Sequence, residues 1–333
     1  MLSHKRIGEL KLKSFDIGKN DEGKRLDRFV LKVASNLPQT LMFRYLRTKR
    51  IKLNGKRAEA STRLHEGDVV EMYINDEFFT QNEYAYDFLK ASKELDILYE
   101  DENIIIINKP PGVLCHPDGE NYTDNIIARV QRYLFEKGEY DPDKENSFTP
   151  ALANRIDRNT GGLVMASKNA AALRILNEKI KSREVTKKYY CIAQGIFKEK
   201  EGVLESYLTV DRKQNKASVK KSESESAKAI KTGYKVLSEK NSLSLLEITL
   251  FTGRTHQIRA QLAAVGHPLL GDTKYGGKAA ESGKAYKKQY LYAYKLEFSF
   301  KSDAGDLNYL KDKTFEAREP EFVKDFYKNK LNI

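Results

Sequence analysis

Only two cysteines occur in the 333 residues, Cys115 and Cys191, which excludes a disulfide framework. With no Cys-x-x-Cys pair, a structural zinc site is not expected either. The five histidines, His4, His65, His116, His256 and His267, show no close metal-ligand spacing and read as ordinary polar residues. His256 taken alone reads as a satisfied structural histidine. Long apolar runs are missing: a run such as Ile104 to Ile107 is far too short for a bilayer. Met1 to Lys13 is polar and basic without the apolar centre of a secretory signal, so a reduced, cytoplasmic setting is expected. Neither G-x-x-x-x-G-K-[ST] nor G-x-G-x-x-G occurs, and there is no internal repeat. No cofactor and no metal are expected.

Basic charge is what the chain has in excess. Lys and Arg number 59 against 47 Asp and Glu, a formal charge of +12 and a pI near 9.3. Such a chain can bind polyanions, because each Lys or Arg releases counterions from a phosphate, although charge alone is weak evidence. Apolar residues make up 40%, enough for real cores, and the length favours two domains. We expect a small domain over 1–77, a linker over 78–94 and a larger domain over 95–333.

In the first domain Leu26, Phe29, Val30, Val33 and Leu37 fall at helical spacing, and Pro38 stops that helix. A second helix carries Leu41, Met42, Tyr45 and Leu46. Ile51 to Leu53, a tight turn at Asn54-Gly55 and a strand over Val69 to Ile74 complete a compact α/β module. Arg44, Arg47, Lys49, Arg50, Lys52, Lys56 and Arg57 gather there, and no acid interrupts Leu41 to Arg57. A charge run is usually just a solvated face. On so small a module, however, self-repulsion favours a polyanionic partner.

In the second domain a hairpin over Leu95 to Asn108 ends at Lys109-Pro110-Pro111-Gly112. Asn169 to Lys181 reads as a helix, and Tyr189 to Ala193, Leu243 to Leu250 and Leu291 to Phe300 as strands. Gln257 to Val265 reads as a short helix with Thr255 as its N-cap, and Glu319 to Leu331 carries a helical apolar stripe. Strands dominate and helices interrupt them irregularly, so the fold class is α+β with a mainly antiparallel sheet.

Three segments carry chemistry. Asn154 to Met165 sets Asp157 between Arg155 and Arg158, ahead of a Gly161-Gly162 turn. Flanking arginines keep a carboxylate ionised and available as a nucleophile, and they equally suit an Arg–Asp pair that pins a loop. Phe251 to Arg259 places Arg254 at a strand-to-helix junction, where its guanidinium can fork a carboxylate or grip a phosphate. Lys187-Lys188-Tyr189 brings a tyrosine into a strand, usually as core packing, although in an RNA site it can stack on a base.

The first domain resembles the S4 RNA-binding domain through Arg25-Leu26-Asp27, Arg47-Thr48-Lys49-Arg50, Ile51-Lys52-Leu53-Asn54-Gly55 and Gly67-Asp68-Val69-Val70. The rest resembles the RluA family of pseudouridine synthases. That family's His-Arg-Leu-Asp and Thr-Ser-Gly stretches appear here as Asn154-Arg155-Ile156-Asp157 and Thr160-Gly161-Gly162. Lys187-Lys188-Tyr189, Thr252 to Arg259, Ile97 to Glu102 and Asn108 to Gly112 match its other motifs in order, over residues 93–315. Asn154 for histidine and Gly161 for serine depart from the pattern. Within the family the likeness is greatest to members with an S4 module that modify large-subunit ribosomal RNA.

The resemblance implies a catalytic domain built on a mixed, mainly antiparallel sheet, and isomerisation of uridine to pseudouridine in RNA without a cofactor. It implies Asp157 as nucleophile, Arg254 paired with it, Tyr189 stacked on the target base, and Arg155 in the space left by a flipped nucleotide. Flipping costs a few kcal/mol, least in loops and bulges. Arg25, Arg44, Arg47, Lys49, Arg50 and Lys52 would contact the RNA, and a monomer is expected. A transfer RNA target, a catalytically inactive RNA-binding protein and a two-carboxylate hydrolase are the rival readings.

Overall fold

The computed structural model describes residues 12–79, 85–119, 123–211, 213–278 and 288–331. The chain forms two compact units. One comprises residues up to 91 with 128–150 and 169–171; the other holds the remainder from 92 onward. Segment 128–150, assigned from sequence to the larger domain, therefore belongs with the smaller one. The expected linker over 78–94 is partly packed chain: Phe88 is buried, with its ring 5.7 Å from Phe135 and 5.9 Å from Tyr140. Residues 80–84 of that segment lie outside the described residues.

The first unit contains β1 (Leu12–Asp16), α1 (Leu26–Val33), α2 (Gln39–Arg47), β2 (Ile51–Leu53) and β3 (Val69–Tyr73). Its antiparallel sheet runs β1-β3-β2. Leu26, Phe29 and Val30 fall on one face of α1 and are fully buried against Met42, Ile51, Leu64 and Met72. Asn54 and Gly55 both have positive φ, 51° and 72°, the conformation that closes a two-residue hairpin.

Next along the chain come β4 (Ile97–Glu100), β5 (Ile104–Lys109), α3 (Ile126–Glu136), β6 (Ala151–Leu152), β7 (Gly161–Ser167), α4 (Ala170–Lys181) and β8 (Val185–Gln194). They are followed by β9 (Glu201–Asp211), β10 (Lys216–Lys220), β11 (Lys228–Lys240), β12 (Leu243–Leu250), α5 (Gln257–Ala264), β13 (Leu291–Phe298), β14 (Thr314–Glu316) and α6 (Glu321–Tyr327). The large sheet has eleven strands, ordered β10-β9-β11-β12-β8-β13-β7-β5-β4, with β14 on β13 and β6 on β7. Every pairing is antiparallel except β13 with β7, which makes it the mixed, mainly antiparallel sheet of the α+β expectation.

The sheet is covered on both faces. Ile104, Ile106, Leu163, Met165 and Leu176 pack with Phe322 and Phe326 in one core. Val164, Cys191, Leu246 and Ile248 pack with Ile258 and Leu262 of α5 in the other. Adjacent residues of β7 thus serve opposite cores, which is why that strand reads as an unbroken apolar run.

The parallel pairing of β13 and β7 is short and sets Gly162 against Ala293. Gly162 has φ 112°, and a Cβ there would lie 2.1 Å from the Ala293 carbonyl oxygen. Only glycine fits, and Asp157 sits on the loop just before it. Gly162→Ala is expected to lower unfolding free energy by about 3 kcal/mol or more in a denaturant melt, since backbone rather than a mobile side chain must move.

Candidate active site

Asp157 lies on the loop joining β6 to β7, and the sequence fixes that loop from several sides. The Lys109 side chain is fully buried, and its Nζ donates to the carbonyls of Pro110, Val113 and Arg158 at 2.7–2.9 Å. Burial draws that ammonium's pKa down to about 8, against the opposing pull of Cys115 and Asp157. Cys115 Sγ accepts from the Ile156 N–H and donates to the Ile156 carbonyl, both at 3.4 Å. Asn154, where the family pattern has histidine, accepts from the Met165 N–H through Oδ1 at 2.8 Å and so ties the loop to β7. At Gly161, where the pattern has serine, a Cβ would stand 2.9 Å from the Tyr292 ring, so the aromatic fills the place of a larger residue.

The arginine that holds Asp157 is not the one expected. Arg254 is exposed on the lip of the cleft and, among the described residues, has no ion pair; its backbone N–H donates to Gln257 Oε1 at 3.1 Å. Arg259, 102 residues beyond Asp157, donates from Nη1 to Asp157 Oδ2 at 3.0 Å. Its Nε and Nη2 fork the Asp272 carboxylate at 2.7 and 2.8 Å. The reason is helix geometry. Arg254 precedes α5 on an open turn, whereas Arg259 is in its third position, on a helix whose residues 257–262 are all buried. Burial pulls against the guanidinium's charge, and the Asp272 and Asp157 carboxylates more than offset it, raising its pKa.

His256, read from sequence as structural, also faces the carboxylate, with Nε2 3.8 Å from Asp157 Oδ2. It caps α5 in a left-handed conformation, φ 54°, a strained backbone for a non-glycine residue and a cue that sequence does not carry. Burial lowers its pKa first, and Arg259 and Lys274 lower it further against the pull of Asp157, which favours the neutral ring. The Tyr275 hydroxyl accepts from the Ala217 N–H at 2.8 Å and lies 2.9 Å from His256 Nδ1. If that hydroxyl donates to Nδ1, the ring proton sits on Nε2, toward Asp157.

Asp157, His256 and Arg259 line a cleft of about 500 Å³, a size suited to a small ligand group. Tyr189 lies in its wall, buried, and burial followed by the charges of Asp157 and Cys115 raises its pKa, keeping the phenol protonated. Arg155 is exposed at the edge, with Arg183 and Arg254 nearby on the same rim. Asp157, Tyr189, Arg155 and Arg254 therefore share one cleft, and Asp157 keeps part of its side chain open to it, 23% exposed.

The basic residues of the first unit divide into two groups. Arg44, Arg47 and Lys49 are exposed and, among the described residues, form no ion pair. Arg25 pairs with Asp27 at 2.7 Å, Arg50 stacks over Tyr45 and donates to the Tyr73 carbonyl, and Lys52 lies over the Tyr73 ring. Among the described residues no cluster of three or more His, Cys, Asp or Glu suits a metal ion, and no helix is long and apolar enough to cross a membrane.

Residues 103–264 match the family described as RNA pseudouridylate synthase. An uncharacterised RNA pseudouridine synthase of Mycoplasma genitalium is 35% identical over 290 residues, covering 85% of this chain and 88% of that protein. The ribosomal large subunit pseudouridine synthase D of Borreliella burgdorferi is 30% identical, over 80% of this chain and 82% of its own. The corresponding synthase C of Vibrio cholerae is 29% identical, over 85% and 87%. Among solved structures, human RNA pseudouridylate synthase domain containing 4 aligns with a TM-score of 0.53 at 22% identity, covering 72% of this chain and 94% of that one, a likeness of fold.

Proposed function

Since the chain belongs to the RluA family of RNA pseudouridine synthases, we propose that it isomerises uridines of large-subunit ribosomal RNA with Asp157 as its nucleophile. Its activity is that of an isomerase acting on RNA. The observation that carries the mechanistic reading is the ion pair between Asp157 and Arg259 at the floor of an open cleft. A carboxylate that is partly exposed, aimed into a cavity and fixed by a buried guanidinium suits attack on a nucleotide entering from outside.

In the proposed reaction the Asp157 carboxylate bonds to C1′ as the N1–C1′ bond breaks, and that bond's electron pair stays on the uracil. The ring turns in place and C5 bonds to C1′ as the Asp157–C1′ bond breaks and returns its electron pair to the carboxylate; C5 loses its proton and N1 takes one up, so uridine and product contain the same atoms. Arg259 holds Asp157 in orientation through their ion pair, the role first assigned to Arg254. Tyr189 packs against the target base as a protonated phenol. Arg155, Arg183 and Arg254 at the rim meet the phosphates and the gap left by the flipped nucleotide.

The small first unit acts as an S4-like RNA-binding module in this reading. Arg44, Arg47 and Lys49 are its best-placed contacts, because their charges face no internal partner among the described residues, while Arg25, Arg50 and Lys52 already have one. A ribosomal RNA target, favoured by the names of two relatives, makes the cytoplasm the expected site of action.

Mapping pseudouridine in ribosomal and transfer RNA from a strain lacking the gene tests the target. At least one site is expected to vanish from large-subunit ribosomal RNA and to return with the wild-type gene. Loss confined to transfer RNA would overturn the ribosomal assignment.

A further inference from the structure

Lys187 and Lys188 are neighbours on β8 with opposite surroundings. Lys188 Nζ lies 3.7 Å from Glu247 and 3.5 Å from Glu297, so two carboxylates answer its charge. Lys187 points to the other face of the sheet, as residues alternate along a strand, and so shares its side with Tyr189. The register agrees: Lys187 stands opposite Leu250 and Tyr189 opposite Ile248 on β12, and Lys187, Tyr189 and Leu250 all line the cleft that holds Asp157. Among the described residues Lys187 has no ion-pair or hydrogen-bond partner, although it is only partly exposed. An amine placed in a cleft wall without a counter-charge costs stability, and burial lowers its pKa accordingly. Nothing in the packing requires it. A leucine or methionine would fill the same wall at lower cost.

The reaction offers that charge a partner. Once the N1–C1′ bond has broken, the electron pair left on the uracil spreads over N1, O2 and O4, and a fixed cation beside a carbonyl oxygen stabilises it. Asp157 and Arg259 already neutralise each other, and Tyr189 is a neutral phenol, so neither supplies that cation. We propose that Lys187 is a catalytic residue whose ammonium donates a hydrogen bond to a carbonyl oxygen of the target uracil and stabilises the ring while it is detached. No bond to Lys187 forms or breaks. The inference rests on the pseudouridine synthase reading and assigns to it the residue that carries the departing base.

The test uses the whole protein and total RNA from the deletion strain, labelled with tritium at uridine C5, so that the target is present whichever RNA carries it. Tritium release by the wild type is the control for the underlying reading, and its absence would overturn both. With that control positive, Lys187→Met is expected to lower kcat by ~10²-fold with KM for RNA within about threefold, the size seen when one donor to a developing anion is removed. Its thermal midpoint should not fall, because an unpaired charge has been removed. Lys187→Gln gives the same reading if the methionine variant is poorly behaved. Lys187→Arg keeps the charge and should recover at least ~10-fold of the loss, which a purely structural residue would not require. A kcat within threefold of wild type in the Met and Gln variants overturns the inference. So does a loss confined to KM with a salt slope shallower by about one, which would make Lys187 a phosphate contact.

Discussion

Asp157→Asn is expected to abolish pseudouridine formation, with tritium release from C5-labelled RNA falling by at least ~10⁴-fold, while RNA affinity stays within about twofold. The substitution is nearly isosteric, and the carboxamide oxygen can still accept from Arg259 Nη1, which lies 3.0 Å from Oδ2. The loop remains fixed by Lys109, Asn154 and Cys115, none of which bonds to the Asp157 side chain. What disappears is the nucleophile, because an amide oxygen at neutral pH does not attack carbon as a carboxylate does. Stability should change little: Asp157 is 23% exposed, and Arg259 retains both bonds to Asp272. If turnover survived within tenfold, Asp157 would be an orienting residue and another group would have to attack. If the variant unfolded, the bland reading of this carboxylate as a loop pin would be the better one.

That bland reading was open at the level of sequence for a physical reason. Asp157 between Arg155 and Arg158 suggested that its immediate neighbours hold it, yet Arg158 turns away to Asp118 at 3.1 Å and Arg155 is exposed. The partner comes from α5. Sequence showed two arginines, Arg254 and Arg259, within one motif, and nothing in it distinguished them. Residues 257–262 are uniformly buried, so the helix has no polar face whose period could mark an inward arginine. The second half of the arrangement, the Asp272 fork, lies on a loop beyond the helix, and loop placement is not written in periodicity. His256 was missed likewise, because its left-handed φ and its approach to Asp157 are tertiary facts.

The fold was legible where burial is one-sided or complete. The run Ile104 to Ile107 and the span Leu243 to Leu250 read as strands because both of their faces are apolar and buried. Strands β9 and β11 did not, because they are only partly buried and mix charged, polar and apolar residues without a sustained two-residue alternation. Helix α3 carries a periodic signal in Ile126, Val130 and Leu134, which stand at four-residue spacing and are all buried. The small module was read well from its helices, whose apolar residues sit at helical spacing, and from the Asn54-Gly55 turn, where both residues need positive φ.

Arg259 joins two requirements that a pair of variants should separate. Arg259→Met leaves the Asp272 side chain, 1% exposed, as a buried carboxylate without its fork, at an expected cost of about 3–5 kcal/mol in unfolding free energy. It also frees Asp157 to turn away from the cleft, and turnover should fall by ~10²-fold or more even at temperatures where the variant is folded. Adding Asp272→Leu removes the stranded charge. Replacing a whole buried ion pair by apolar groups is often neutral, so the double variant should regain most of the stability in a denaturant melt. It should regain none of the activity, because Asp157 still lacks its guanidinium. Recovery of turnover along with stability would mean that Arg259 acts only as a structural strut, and that the carboxylate finds its orientation without it. Stability regained with activity still lost would place the arginine in the chemistry, with Asp272 as the group that holds it in line.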